Sequence, residues 1–545
     1  MFCKKGPLFR RAVCLSVLSL ALGLCWVSQA TASVNLPLHH WAYEAIERLT
    51  ALGIIDRAMV ATKPYSRKEA ARYVARALER VRKDQVAADG RKAVAEPLLE
   101  RLVREFRPEL EELDAVVKVP GTSLRPIRYG GRVTTEVDGF FVGGGQTVRF
   151  RENRGGEYYV NGEINQTDVR GWFELGDWVS VTFQPKFISN RHVLGIGATN
   201  NSKNFYIREG NVKISHFNVA LEIGRGTQWW GQGYHGSLLL TDHAYPLDMI
   251  KLGSEQPFKI PWLEGLGDWK INSFLTRLEV NRDFPRAKLF GMRISYQPTD
   301  WFEIAATRLT QFGGRNSPSQ QFPNAIWCNY SQTQGQNRDG KCQTNEQGMV
   351  DLLVRIPRVP YLFPFPGGVQ LYGEFGLEDR VDHPAALAGI YIPQVFQGDS
   401  LDFRFEFADT DLERQLTGSA NTWYNNANYS SGMRYKGFPL GHHMGTDGLD
   451  FFIRTTERLT DKLTVGANLN YQERARGLPV HEKKREASMD MTLLINDWTQ
   501  FTVSYVFQRI ENPGQITSIV PFAETFASGV TAYNNFLWTT LAIQF

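Results

Sequence analysis

The 545-residue sequence predicts a mainly β chain. The expected architecture is a transmembrane β-barrel of about 16–18 antiparallel strands, preceded by a small N-terminal α-helical domain. Three observations predict it. Residues 533–545 alternate with period two. Leu537, Thr539, Leu541, Ile543 and Phe545 fall on one face, and Trp538, Thr540, Ala542 and Gln544 on the other. A strand reads this way when one face meets an apolar phase. The opening residues have the make-up of an export leader. Past that leader there is no run of roughly 18 apolar residues, and mean hydropathy is −0.31. A chain of this kind enters a membrane only as a closed barrel, because open sheet edges find no hydrogen bonds in lipid.

The leader is read over residues 1–32. Lys4, Lys5, Arg10 and Arg11 form its basic segment, residues 12–24 its apolar one, and Ala30, Thr31 and Ala32 its small-residue cleavage region. The mature chain then begins at Ser33. Cys25 is not a lipid-attachment site on this reading, since Leu24 stands where a small residue is wanted. The terminal strand, ending on the bare carboxylate of Phe545, resembles the signature by which bacterial outer-membrane barrels are recognised for insertion. The resemblance implies the outer membrane as location and outer-membrane lipid as surroundings. It also implies the barrel assembly machinery as a partner, with Phe545 as the assembly signal.

Charge narrows the partners. The chain has 61 Lys+Arg and 57 Asp+Glu. Without the four leader cations the two balance, which argues against nucleic acid or another polyanion bound through bulk charge. Aromatics make up 12%, enough for the interfacial girdles of a barrel.

Residues 33–126 are expected to form the helical domain, on the periplasmic side. Ala42, Ala45, Ile46, Leu49 and Leu52 share one helix face, and Gly53 ends that helix. Ser66-Arg67-Lys68-Glu69 is a capping box, followed by Ala70, Tyr73, Val74, Ala77, Leu78 and Val81 at helical spacing. A third helix is expected over 97–106, with Pro97 in its first turn. His40-Trp41-Ala42, Ile46, Leu49, Gly53-Ile54-Ile55 and Ser66-Arg67-x-Glu69 resemble a single S-layer-homology motif. That resemblance implies contact with peptidoglycan or a related cell-wall polymer through Trp41 and Arg67. The plainer reading of the same helices is a periplasmic cap.

Residues 127–545 are expected to form the barrel. The clearest strands are 178–187, 270–280, 288–296, 350–356, 369–377, 401–407, 449–456, 463–471, 488–495 and 501–507. In the sixth of these, Phe403, Phe405 and Phe407 should face lipid while Asp402, Arg404 and Glu406 face inward. Met489, Met491, Leu493 and Ile495 should face outward, as should Phe501, Val503, Tyr505 and Phe507. Charges on the inner face mark a polar lumen. Cys328 and Cys342 lie in a strand-free stretch rich in Gln, Asn, Ser and Gly. In an exported protein the pair reads as a disulfide, stabilising by roughly 3 kcal/mol through loop closure.

Catalytic motifs are missing, so the chain reads as a non-enzyme without cofactor or metal. His481-Glu482-Lys483-Lys484-Arg485 begins like a zinc-protease helix but lacks the second His. There is no nucleophile elbow and no phosphate loop. The pairs His39-His40 and His442-His443 read as loop or surface residues. One segment stands apart. Gly224 and Gly226 lead into Gln228-Trp229-Trp230-Gly231-Gln232-Gly233, and His235, Asp242, His243 and Tyr245 follow. Flat aromatic faces beside planar polar groups suit a sugar, although tryptophans at strand ends also make girdles. The segment Trp230-Gly231-Gln232-Gly233, Leu238 to Leu240 and Ala244-Tyr245-Pro246 resembles the signature of the Wzi-like capsule assembly family. Gln232 stands where Pro is expected, and Asp242-His243 where paired Asn is typical. The resemblance implies an outer-membrane lectin that holds capsular polysaccharide or exopolysaccharide. Gln228, Trp229, Trp230, His235, Asp242, His243 and Tyr245 are then the expected contacts. The alternative from another class is a diffusion porin for small solutes such as carbohydrates.

Overall fold

A computed structural model describes residues 32–83, 91–117, 127–143, 148–189, 205–317, 343–356, 367–418 and 422–545, with 322, 325 and 365 besides. The expected export leader, except its last residue, and Cys328 and Cys342 with their expected disulfide lie outside the described residues.

Eighteen antiparallel strands close into one barrel. In chain order they are β1 Ile127–Phe141, β2 Gly162–Leu175, β3 Val179–Ile188, β4 Phe205–His216, β5 Val219–Gly226, β6 Leu247–Ser254, β7 Asp268–Arg277, β8 Lys288–Thr299 and β9 Phe302–Phe312. Then come β10 Asn345–Ile356, β11 Val369–Glu378, β12 Arg380–Ile392, β13 Asp402–Asp409, β14 Leu449–Arg458, β15 Leu463–Arg474, β16 Glu482–Asn496, β17 Thr499–Glu511 and β18 Thr531–Gln544. Each pairs with its sequence neighbours, and β18 pairs with β1 to close the seam. Phe545 continues the seam, donating to and accepting from Gly131 at 2.9 and 2.8 Å. Among the described residues no helix is long and apolar enough to cross a membrane.

The alternation read from sequence is the alternation of the wall. Met489, Met491, Leu493 and Ile495 are exposed on the outer face, as are Leu537, Leu541 and Ile543, whereas Arg404 and Glu406 are buried inward. The girdle lies at the end with the short turns. Trp178, Trp301 and Trp498 sit in the turns β2–β3, β8–β9 and β16–β17, all exposed. That end carries the start of β1 and the end of β18 and is the periplasmic one in barrels of this type.

The helical domain begins as expected and departs further on. Helix α1 is Ala42–Ala51, and Gly53 follows it at φ +74°. Helix α2 is Arg67–Arg82, with Ser66 Oγ accepting from the Glu69 amide at 3.1 Å. The carboxylate of Glu69 does not complete the capping box; it receives both bonds of Lys270 Nζ on β7, at 2.7 Å each. Helix α3 is Arg91–Glu105, starting before Pro97, which lies inside it. A short α4, Arg107–Glu112, was not legible in the sequence. The position of this domain corrects the cap reading, because it enters the lumen. Thr62 Oγ1 lies 2.8 Å from Ser295 Oγ and accepts from Arg293 Nε at 2.8 Å, both on β8. Arg48 donates to Pro393 and Ser400 carbonyls in the β12–β13 connection.

Candidate functional site

The loop between β5 and β6, residues 227–246, folds inward instead of out. Trp229–Trp230 pairs antiparallel with Thr62–Lys63 of the helical domain, and the Trp230 amide donates to Leu240 O at 3.0 Å. Two carboxylates on the wall then hold the loop backbone. Glu374 on β11 accepts from the amides of Gly233 and Leu238 at 2.9 and 2.8 Å and from Ser237 Oγ at 3.1 Å. Glu406 on β13 accepts from the amides of Tyr234 and His235 at 2.7 and 3.0 Å and from Tyr372 OH at 3.0 Å. This close approach requires Gly231. Its φ is +144°, and a Cβ there would lie 2.1 Å from Ser237 Oγ and 2.3 Å from Glu374 Oε1.

The sequence-predicted contacts come together here, but as the interior of a plug. Trp230 is wholly buried against Phe274 of β7, with ring centroids 5.3 Å apart. Trp229 is nearly so, and its Nε1 donates to Gly233 O at 3.1 Å. Gln228 is buried beside them. Asp242 Oδ2 lies 2.7 Å from His39 Nε2 of the helical domain. His243 packs between Phe150 and Phe438, and Lys436 lies 4.4 Å over the ring of Tyr245. Burial pulls His243 down to about 3, so it is neutral at physiological pH. Only His235 keeps some exposure, at 12% of its side chain. The face of Trp230 is spent on packing, whereas Trp229 keeps an edge on the cavity described below. The His pairs lie in loops as read, and His39 is exposed; His40, His442 and His443 are buried instead, and burial lowers His40 to about 3 and His442 to about 4.

A second inward loop between β13 and β14 was missed. Trp423, Tyr424, Tyr429, Met433 and Phe438 are buried in the lumen, and Tyr424 OH donates to Leu238 O of the first loop at 2.6 Å. Its signal was available in Trp423-Tyr424-Asn425-Asn426, where aromatics precede amides. Its tip reaches the loop end, with Ala427 and Ser430 exposed. A hairpin of Gly514–Ile519 and Phe522–Phe526 leans on it, with Phe522 N donating to Ser430 O at 3.1 Å and Arg434 stacked 3.7 Å from the Phe522 ring centre. Below the loops a cavity of about 560 Å³ remains beside β13–β17, lined by Trp41, Trp229, Tyr234, Arg404 and Glu152 among others. Arg404 lies between the rings of Tyr234 and Tyr391, 4.3 and 4.1 Å from their centres.

The family model of the capsule assembly protein Wzi matches residues 142–517. The chain belongs to the Wzi capsule assembly family. An uncharacterized 55.8 kDa protein in the cps region of Klebsiella pneumoniae is 26% identical over 374 residues, covering 67% of this chain and 68% of its own. The solved structure of Wzi from Escherichia coli is described as an outer membrane protein involved in group 1 capsule assembly and a carbohydrate-binding β-barrel. It superposes with a TM-score of 0.65 at 18% identity, over 93% of this chain and 99% of that one. This shared fold is an outer-membrane barrel.

Within that Wzi fold the family-like motif has a physical account. Trp230-Gly231-Gln232-Gly233 is where the inward loop presses on the wall, and Gln232 uses its side chain to donate to Asp351 Oδ1 at 3.1 Å. Asp351 in turn binds Arg293 at 2.6 and 3.0 Å, and Arg293 holds Thr62. The departure from Pro thus ties the loop to the helical domain. Cell-wall contact through Arg67 is corrected on the same grounds. Arg67 is buried and donates to Glu105 and Glu109 at 2.7 Å each, which cross-links α2 to α3 and α4. Trp41 is half-buried beneath the Arg101 guanidinium, 3.8 Å from its ring centre.

Proposed function

We propose that this protein holds capsular polysaccharide or exopolysaccharide at the cell surface and neither cuts nor extends it. The loop end of the barrel, around residues 425–430 and the hairpin 514–526, is where the sugar is met. The observation that carries this reading is the occupied lumen. A diffusion porin needs a water-filled path, and its inward-facing wall residues stay wet. Here Arg293, Asp351, Glu374 and Glu406 on the wall are buried against the helical domain and the inward loops. Membership of the Wzi family supports the same conclusion. The loop end offers amides, hydroxyls and the Phe522 ring, with Gln515, Thr517 and Thr525 exposed, a set suited to sugar hydroxyls and C–H faces.

A deletion strain tests it. Polysaccharide should still be made but should appear in the medium instead of on the cell. Restoring the chain without residues 514–526 should return a folded barrel and leave the polysaccharide shed. Unchanged surface polysaccharide in the deletion strain, together with high single-channel conductance of the purified barrel, would establish the porin reading instead.

A further inference from the structure

The inward loops meet over an imidazole cluster that surface binding of sugar does not use. His235 comes from the first loop, His443 from the second and Glu152 from the segment after β1. His235 Nδ1 lies 2.8 Å from Asp450 Oδ2 on β14. Its ring lies flat on Phe452, with centroids 4.0 Å apart and planes 8° from parallel. The ring is pinned from both sides, and its other nitrogen, Nε2, faces Glu152 Oε2 at 3.9 Å. His443 Nδ1 lies 3.8 Å from Glu152 Oε1. One donor atom from each of Glu152, His235 and His443 falls within 4.8 Å of the others.

The cluster is shielded from bulk water. His443 is 1% exposed and turns Nδ1 towards Glu152. Lys484 pairs with Glu152 and Asp450 with His235, so an entering cation competes with the ammonium for Glu152. The Gln472 amide nitrogen lies 2.9 Å from His443 Nδ1 and also donates to Asp450 Oδ1 at 3.2 Å, so a cation bound at Nδ1 must displace it.

We infer that Glu152, His235 and His443 bind one divalent transition-metal ion of the zinc class, with Asp450 positioning His235 from behind. Two imidazoles and a carboxylate make a three-ligand zinc set. The imidazoles disfavour magnesium and calcium, which take oxygen ligands. A carboxylate on the far nitrogen of a ligating His fixes its tautomer and raises its basicity. Glu152 lines the cavity of about 560 Å³, which gives the ion a route in and a water a place on its open side. The ion would join three separate chain segments, so its role is to fasten the plug.

The probes are Co²⁺ and Zn²⁺ alone, added to full-length mature barrel purified in detergent and stripped with chelator. One ion per chain should bind saturably, and should raise the temperature at which the compact electrophoretic form is lost. His235→Ala and His443→Ala should abolish binding, and Asp450→Asn should weaken it by about 10- to 100-fold. Heat-modifiable mobility reports whether each variant has folded. Where the buried His443→Ala fails to fold, Glu152→Gln, at the more accessible ligand, replaces it. Absence of saturable uptake by the folded wild-type barrel would overturn the inference. So would wild-type affinity in folded His235→Ala or Glu152→Gln. Loss of metal binding with capsule retention intact would leave the surface function untouched, since the two rest on different residues.

Discussion

Replacing Glu374 by Gln should open the plug without unfolding the barrel. Its two carboxylate oxygens accept three bonds from the first inward loop: Gly233 N on one, Leu238 N and Ser237 Oγ on the other. An amide supplies only one acceptor oxygen. Whichever way it sits, its NH₂ group faces a backbone N–H that no longer has a partner. Leaving a buried donor unsatisfied costs about 1–3 kcal/mol, which shifts the closed-to-open ratio of the loop by about 5- to 150-fold. Glu406 holds the adjacent amides of Tyr234 and His235. Glu406→Gln should act in the same direction, and the double variant should deviate from additivity because both grip one loop. Planar-bilayer recordings provide the assay, since the wild type should conduct poorly and the variant should show frequent openings. Protease cleavage within residues 227–246 should rise in parallel. A heat-modifiable Glu374→Gln barrel with wild-type conductance and a protected loop would refute the holding role of these carboxylates.

Gly231→Ala should lower the heat-modifiability midpoint, because its Cβ would meet Ser237 and Glu374 at 2.1 and 2.3 Å. Gly171→Ala, on β2 with nothing within 4 Å, should leave the midpoint unchanged, and equal effects from the two would contradict the packing account. Acid should loosen the plug. His40, His243 and His442 sit at about 3, 3 and 4 when folded, against 6.5 unfolded. Below 6.5 the unfolded plug takes up protons that the folded one refuses, so their stability is full above about pH 6.5 and drains away as pH falls towards 4. His235, raised by Asp450 after burial is overcome, acts with the opposite sign, as do buried carboxyls that grip the plug. The imidazole share of this dependence should show as a smaller acid-induced rise in conductance between about pH 7 and pH 4 in His243→Phe than in the wild type; identical pH profiles of the two folded barrels would contradict the burial of this imidazole. Deleting Phe545 removes the two backbone bonds to Gly131 at the seam, and the fraction of compact, heat-modifiable barrel in membranes should fall.

The barrel was legible wherever a strand lies within the lipid. Phe403, Phe405 and Phe407 alternate with Arg404 and Glu406 because one face meets hydrocarbon and the other does not. It was illegible where strands rise past the membrane. In β2, Glu163, Asn165 and Thr167 point outward above the apolar band, so alternation survives only from Val169 to Leu175. The strand β16 likewise begins at Glu482, in a charged stretch that resembled the start of a helix motif. The site was legible as a place and misread as a surface. Trp229 and Trp230 mark a special segment, but period and composition do not say whether a loop turns outward or inward. That is decided by Glu374 and Glu406, wall residues more than a hundred positions away. The depth of the helical domain was hidden for the same reason, since the partners of Glu69 and Thr62 are Lys270 and Ser295.

The strand pair formed by Thr62–Lys63 and Trp229–Trp230 has a bearing on how the molecule is put together. It knots the first-made part of the chain to a loop that lies inside a closed cylinder. The pair forms only when two parts of the chain far apart in sequence have reached the same interior. A force on the N-terminal domain is thereby carried straight to the inward loop, as along one sheet.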